Sequence, residues 1–376
     1  MVAVTRRALG LATLAGAGLA AVPRTFAQPT KTLAERLGPT PGLARLIANE
    51  NPLGPSPAAL AAIAETASLG AYYPTKAVGE LAAMIAERHG LSPKQVVIST
   101  GSTEVLDAIC LAWSRRGRIV SPALTFDPPV RYAENLGGQI ERVAMTANLD
   151  CDLSAMAEAA RQPGVSLVHF CNPNNPTGIA TEPAALTRFA QAVTPHATLL
   201  VDEAYAELAP PNPAARGPID MVRDGENVIV TRTFSKIYAM AGLRVGYALA
   251  SEENAAAIRP LLMNASGTMT GLAAAIASYE DADFVDYSRA MVAEARGRIE
   301  RAASAAGVRA LPSAANFVYL ETGDADRFRD AMAERRILVR GAYEGWPAWS
   351  RVSTGLLDDV DRFAAALPEV MAILRG

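Results

Sequence analysis

The sequence predicts an α/β protein: a large domain on a mostly parallel seven-stranded sheet, followed by a smaller α+β domain. Three observations carry this. Short runs rich in Val, Ile and Leu alternate with helical patterns between residues 95 and 250, as when helices connect parallel strands. Those runs are apolar at most positions, which fits strands covered on both faces. Beyond residue 269 the alternation gives way to one long helical region, 270–306, and then to strand-like segments at 318–320 and 337–340.

The elements follow in order. Ser56 caps a helix whose first turn carries Pro57. A second helix over 76–89 ends at Gly90, a residue free to take the left-handed turn that closes helices. Strands are expected at 95–99, 118–121, 139–144, 166–170, 198–201, 227–231 and 245–250, with helices such as 103–114 and 152–161 between them. The large domain is placed at 56–269 and the small domain at 270–376, with residues 28–55 joining the small domain.

At 376 residues, half of them hydrophobic and 19% charged, the chain has material for a sizeable core. Its net charge is −3. The first 27 residues hold three arginines and no acid, so the remainder carries 32 basic against 38 acidic groups, a net of −6. That balance and the sparse aromatics speak against a nucleic-acid partner. Cys110, Cys151 and Cys171 do not make a disulfide framework, and His89, His169 and His196 are scattered, so no metal site is expected.

Residues 1–27 read as an export signal. Arg6-Arg7 precede an apolar Ala/Gly/Leu stretch, and Thr25-Phe26-Ala27 has the form of a cleavage site. The arginine pair points to the twin-arginine route, giving a periplasmic or exported protein; without cleavage the chain would be cytoplasmic. The apolar run is too short for a good membrane anchor. Gly16-Ala17-Gly18-Leu19-Ala20-Ala21 matches a dinucleotide fingerprint, but no strand precedes it and it lies inside the leader.

The chemistry gathers around Thr231-Arg232-Thr233-Phe234-Ser235-Lys236 and Arg244. A lysine amine shielded from water or placed near other cations gives up its proton more readily and can condense with an aldehyde. Thr233, Ser235 and Arg244 supply hydroxyls and a guanidinium fork suited to a phosphate. A phosphate beside such a lysine points to pyridoxal 5'-phosphate (PLP). Taken alone, Lys236 would be a solvated surface lysine. Two further strand ends change the balance. Cys171-Asn172-Pro173-Asn174-Asn175-Pro176-Thr177-Gly178 turns at the carboxyl end of one buried strand, where open α/β sheets bind ligands. Asp202, with Tyr205 shortly after, ends another. Gly101-Ser102-Thr103 opens a helix and offers backbone N–H groups and two hydroxyls to a phosphate; as an ordinary helix start, Ser102 would be its N-cap.

In this order, the segments resemble the class I/II aminotransferases of PLP fold type I, most nearly the histidinol-phosphate aminotransferase branch. Asn49-Glu50-Asn51-Pro52-Leu53-Gly54-Pro55-Ser56-Pro57, Tyr72-Tyr73-Pro74, Gly101-Ser102-Thr103-Glu104, Ala315-Asn316-Phe317-Val318 and Ser350-Arg351-Val352-Ser353-Thr354-Gly355 add to the resemblance, which runs over residues 46–355. It implies PLP as cofactor, with Ser102, Thr103, Thr233, Ser235 and Arg244 sharing its phosphate and Phe126 stacking on its ring. It assigns the ring nitrogen to Asp202 and the phenolic oxygen to Asn175 and Tyr205. Lys236 would bind the cofactor and move the proton. Arg351 would take the substrate α-carboxylate and Arg340 a distal phosphate. The resemblance also implies a homodimer, with Tyr73 reaching the partner's cofactor phosphate.

The activity expected is amino-group transfer between an amino acid or amino alcohol phosphate and a 2-oxo acid. Two alternatives stand beside it: a PLP-dependent decarboxylase or lyase of the same fold, like the threonine-phosphate decarboxylases, and a non-catalytic PLP-binding protein. Which bond lies perpendicular to the ring separates the first two, and residue types alone do not set that.

Overall fold

The computed structural model describes residues 32–209 and 217–376. The leader, its arginine pair and the glycine fingerprint lie outside the described residues. The chain divides into two compact units, residues 1–41 and 42–376. In the first, the short helix Leu33–Leu37 is closed by a reciprocal cap: the Thr32 hydroxyl accepts from the Glu35 N–H, and the Glu35 carboxylate accepts from the Thr32 N–H.

The second unit contains eleven strands among the described residues: β1 (Ala44–Arg45), β2 (Val96–Ser99), β3 (Arg118–Pro122), β4 (Ile140–Val143), β5 (Val165–Cys171), β6 (Thr198–Asp202), β7 (Val228–Thr233), β8 (Gly246–Leu249), β9 (Phe317–Glu321), β10 (Ile337–Leu338) and β11 (Trp349–Ser353). Seven form the central sheet in the order β2-β8-β7-β6-β5-β3-β4. Only β8 runs against its neighbours. The mostly parallel sheet expected from the sequence is present.

Both faces of this sheet are covered, which explains why its strands are apolar at successive positions. Leu167, Leu200 and Ile229 face the helix Ser102–Ser114, which buries Val105, Leu106, Ile109 and Trp113 against them. The alternate residues Val168, Leu199, Val201, Val228 and Val230 pack on the other side with Ile85, Phe189 and Leu272 from three further helices. A second core joins Ile299, Val318, Leu320, Phe328, Phe363 and Leu367. There β9 pairs antiparallel with β11, and β1 pairs parallel with β10, tying residues 44–45 to 337–338.

The long helical region expected over 270–306 is two helices, Met269–Tyr279 and Ala282–Ala305. Asp281 breaks it by accepting from the Phe284 N–H at 3.0 Å, a cap that starts a new helix. Met269–Tyr279 buries Leu272, Ala275 and Tyr279 in the core of the central sheet, whereas Ala295, Ile299 and Ala303 of the next helix belong to the second core. The change of core therefore falls inside the helix Ala282–Ala305. The strand expected at 337–340 is shorter, because Arg340 leaves the pairing with β1 and donates its N–H to the Arg351 carbonyl.

Candidate active site

The parallel strands bring their carboxyl ends into one row, and the row is the site. Cys171, Asp202 and Thr231 are paired residues on β5, β6 and β7. Asp202 Oδ1 accepts from the Thr231 hydroxyl and the Ala204 N–H, both at 3.2 Å. Its Oδ2 has the Cys171 thiol at 3.8 Å. Burial raises the Asp202 pKa from 3.8 to about 6, against these hydrogen bonds and the charge of Lys236, which lower it. All three cysteines are buried thiols.

Lys236 follows β7 and donates from Nζ to the Asn49 carbonyl at 2.8 Å. Burial is the larger cause, and the nearby Arg351 charge the next, of a pKa lowered from 10.5 to about 8. Ser102, Thr103, Phe126, Asp202, Tyr205, Thr233, Ser235, Lys236 and Arg244 line one cleft.

Gly101 is the N-cap of the helix Ser102–Ser114 and gives its first turn no side-chain cap, and Ser102 and Thr103 of that turn line the cleft. Ser102 is thus the first helical residue and not the cap. Gly246 lets β8 come against this turn, since a Cβ there would land on the Ser102 backbone nitrogen and the Gly101 carbonyl carbon. Arg244 sits in the left-handed region (φ 56°, ψ 62°), sparsely populated by residues other than glycine. Its Nη1 donates to Ser235 Oγ at 3.3 Å and to the Ala241 carbonyl at 3.0 Å. An uncapped helix start, two hydroxyl-bearing turns and a guanidinium with no carboxylate partner among the described residues fit a phosphate. The buried Asp202 and the buried Lys236, whose pKa is lowered, fit the ring nitrogen and the aldehyde of PLP.

Arg351, on β11, is 9% exposed. It donates to Asn175 Oδ1 at 2.8 Å and to the Ile47 carbonyl at 3.0 Å, and its buried Nε has no partner. No carboxylate pairs with it among the described residues, an arrangement that fits the binding of an anion. Asn175 in turn donates to the Tyr205 hydroxyl at 3.3 Å. Arg340 is exposed; its guanidinium lies 5.2 Å from the centre of the Tyr343 ring, and that of Arg351 lies 5.9 Å from the same ring. Tyr73 is 84% exposed and is not among the residues lining the cleft.

Some functional contacts are not legible in the motifs. Asn49 belongs to the segment Asn49–Pro57, and its side chain donates to the Tyr205 hydroxyl and accepts from Ser353. The clustering of two asparagines and a glutamate in an apolar stretch is the one signal that could have singled it out. Thr231 and Cys171 gain their place beside Asp202 through strand register, which the sequence does not display.

An amine ready to condense with an aldehyde, held between a phosphate cradle and a buried carboxylate, is the equipment of a PLP-dependent transaminase on fold type I. The profile of the "Aminotransferase class I and II" family matches residues 42–367, and the chain belongs to that family. It is 35% identical over 332 residues to a histidinol-phosphate aminotransferase of Symbiobacterium thermophilum, covering 86% of this chain and 90% of that protein. It is 37% identical over 307 residues to an aromatic amino acid aminotransferase of Nocardia farcinica, covering 80% and 85%. The crystal structure of histidinol-phosphate aminotransferase from Sinorhizobium meliloti in complex with PLP superposes with a TM-score of 0.80 at 32% identity, over 88% of this chain and 91% of that one.

Proposed function

We propose that this transaminase takes its amino group from a doubly anionic donor, either an amino acid with a distal anion or an amino alcohol whose single phosphate carries two charges, and passes it to a 2-oxo acid. The observation that carries this reading is the buried Arg351, with no carboxylate partner among the described residues, and the exposed Arg340 beside the same tyrosine ring. Two cations around one ring repel each other until anions arrive, so the pair favours a doubly anionic donor. The curated relative named for histidinol phosphate supports the same reading.

PLP, when bound, supplies an electron sink that stabilises negative charge at the donor's Cα. The chain's residues do the rest. Arg351 would bind the α-carboxylate of an amino acid donor through its fork while Arg340 meets the distal anion; in an amino alcohol phosphate the two would read the one phosphate. Asp202 holds a proton at the ring nitrogen. Ser102, Thr103, Thr233, Ser235 and Arg244 hold the phosphate, and Phe126 covers the ring. Asn175 and Tyr205 hold the phenolic oxygen. Lys236 Nζ would hold the cofactor through its aldehyde carbon, and its free amine would serve as the base for the Cα proton. Residues 56–269, with the helix Met269–Tyr279 packed on their sheet, would carry the cofactor, and the elements of the second core would carry the donor-facing Arg340 and Arg351. The enzyme acts as a homodimer in which Tyr73 completes the partner's phosphate site.

Arg340→Ala should raise KM at least tenfold for acidic or phosphorylated donors and leave apolar donors within twofold; one buried charged partner is worth ~2–5 kcal/mol, and an exposed one less. Single-turnover measurements across a donor panel check this. An equal effect on all donors, or none, makes Arg340 structural.

The leader carries the enzyme out of the cytoplasm by the twin-arginine route, after folding and cofactor loading. Replacing Arg6 and Arg7 by lysine should then retain the uncleaved protein in the cytoplasm. A parent protein that is itself cytoplasmic and uncleaved refutes export.

A further inference from the structure

We infer that Asn49 is a positioning residue: it turns the Tyr205 hydroxyl so that its proton faces the cofactor's phenolic oxygen. This rests on the role given to Tyr205 above. A phenol has one proton to donate and lone pairs to accept with. Asn175 Nδ2 donates to the Tyr205 oxygen at 3.3 Å and Asn49 Nδ2 at 2.9 Å. The orientation of the Asn175 amide is set by Arg351, which can only donate and does so to Oδ1. Asn49 Oδ1 accepts from the Ser353 hydroxyl at 2.6 Å, which turns its amide nitrogen toward Tyr205. With both amides donating, the acceptor sites of the phenol are filled and its own proton is left for the cleft it lines.

Burial keeps Tyr205 protonated, its pKa raised well beyond the usual tyrosine range, so it serves as a donor throughout the working pH range. Asn49, Asn175 and Tyr205 are all at most 7% exposed, so water does not readily replace a missing partner. The groups facing the hydroxyl are the Lys236 amine, whose nitrogen lies 5.6 Å from the Tyr205 ring centre, the Arg351 guanidinium beyond Asn175, and the Asp202 and Cys171 side chains. Asn49 also holds the Lys236 amine through its backbone carbonyl, a contact that a side-chain substitution leaves in place. One residue from the segment after β1 therefore touches the phenol, the lysine and, through Ser353, the strand that carries Arg351.

The consequence is spectroscopic. When the lysine-linked cofactor loses its proton, full negative charge remains on the phenolic oxygen. A well-aligned donor favours that form and lowers the pH at which the visible band titrates. Losing alignment raises it. The test is the absorbance titration of the PLP-loaded enzyme, with PLP affinity measured alongside.

Asn49→Ala should move the midpoint up by roughly half to one pH unit, the size of one neutral hydrogen bond. Ser353→Ala, which frees the Asn49 amide without touching Tyr205, should move it the same way by less, and it carries the test if Asn49→Ala does not hold cofactor. Tyr205→Phe should move it further, and in that background Asn49→Ala should add nothing. A shift in Tyr205→Phe with none in Asn49→Ala or Ser353→Ala overturns the role of Asn49 alone. A downward shift in Asn49→Ala overturns it too, since Tyr205 would then have been spending its proton on Asn49. An additive shift in the double variant means that Asn49 acts by another route. No shift in Tyr205→Phe removes the Tyr205 assignment and Asn49 with it.

Discussion

Asp202 shows what a buried carboxylate costs at a single residue. It is 2% exposed, and its pKa rises from 3.8 to about 6 on folding. That change corresponds to ~3 kcal/mol of lost stability in the protein without cofactor. Because the folded pKa lies above the unfolded one, the cost is absent below about pH 4, grows between pH 4 and 6, and is full above pH 6. Asp202→Asn keeps the shape and removes the buried charge. Without cofactor, the variant should therefore resist urea better than the parent at pH 7 by up to ~3 kcal/mol, and equally at pH 4, yet lose most transaminase activity. Urea titrations at the two pH values read this directly. A variant less stable than the parent at pH 7 would show that Asp202 is already well compensated by Thr231, Ala204 and Lys236. The Asp at the strand end is visible in the sequence, but its penalty is not, because burial and strand register create it.

At the scale of elements, the cradle depends on how closely β8 approaches the helix Ser102–Ser114. Gly246 is placed where a Cβ would meet backbone atoms of Gly101 and Ser102, which cannot move aside as a flexible side chain can. Gly246→Ala should destabilise the protein by about 1–3 kcal/mol and weaken PLP binding more than tenfold, because the first turn of the helix must shift away from the phosphate. Thermal unfolding and PLP titration measure the two effects. An alanine variant with parental PLP affinity would mean that the helix start does not hold the phosphate. Sequence reading located these elements to within a residue or two, since apolar runs and capping residues report local structure. It merged Met269–Tyr279 with Ala282–Ala305 because the apolar pattern continues through the break that Asp281 imposes.

At the scale of the whole molecule, Leu60, Leu69, Tyr72, Tyr73 and Met263 are 41–84% exposed. Such side chains fit burial against a second copy better than contact with water. In a homodimer that shares sites, a chain with Lys236→Ala and a chain with Tyr73→Ala complement each other, since one site of the mixed dimer has both native residues. Mixing the two variants under subunit-exchange conditions should give activity above the sum of the separate proteins. Activity equal to that sum would place Tyr73 outside the partner's site.

The sequence by itself determined the strand and helix alternation, the lysine, the strand-end carboxylate, the hydroxyl-bearing turns and the arginine after them. These lie in short segments whose residue types already imply their chemistry. Tertiary structure alone decided that Cys171 and Thr231 flank Asp202, that Asn49 reaches Tyr205 across 156 positions, and that Arg351 is buried with no carboxylate partner among the described residues. The physical reason is that hydrogen-bond partners and desolvation depend on which segments pack together in space, and a linear pattern of apolar and polar residues fixes each segment's own conformation without fixing its neighbours.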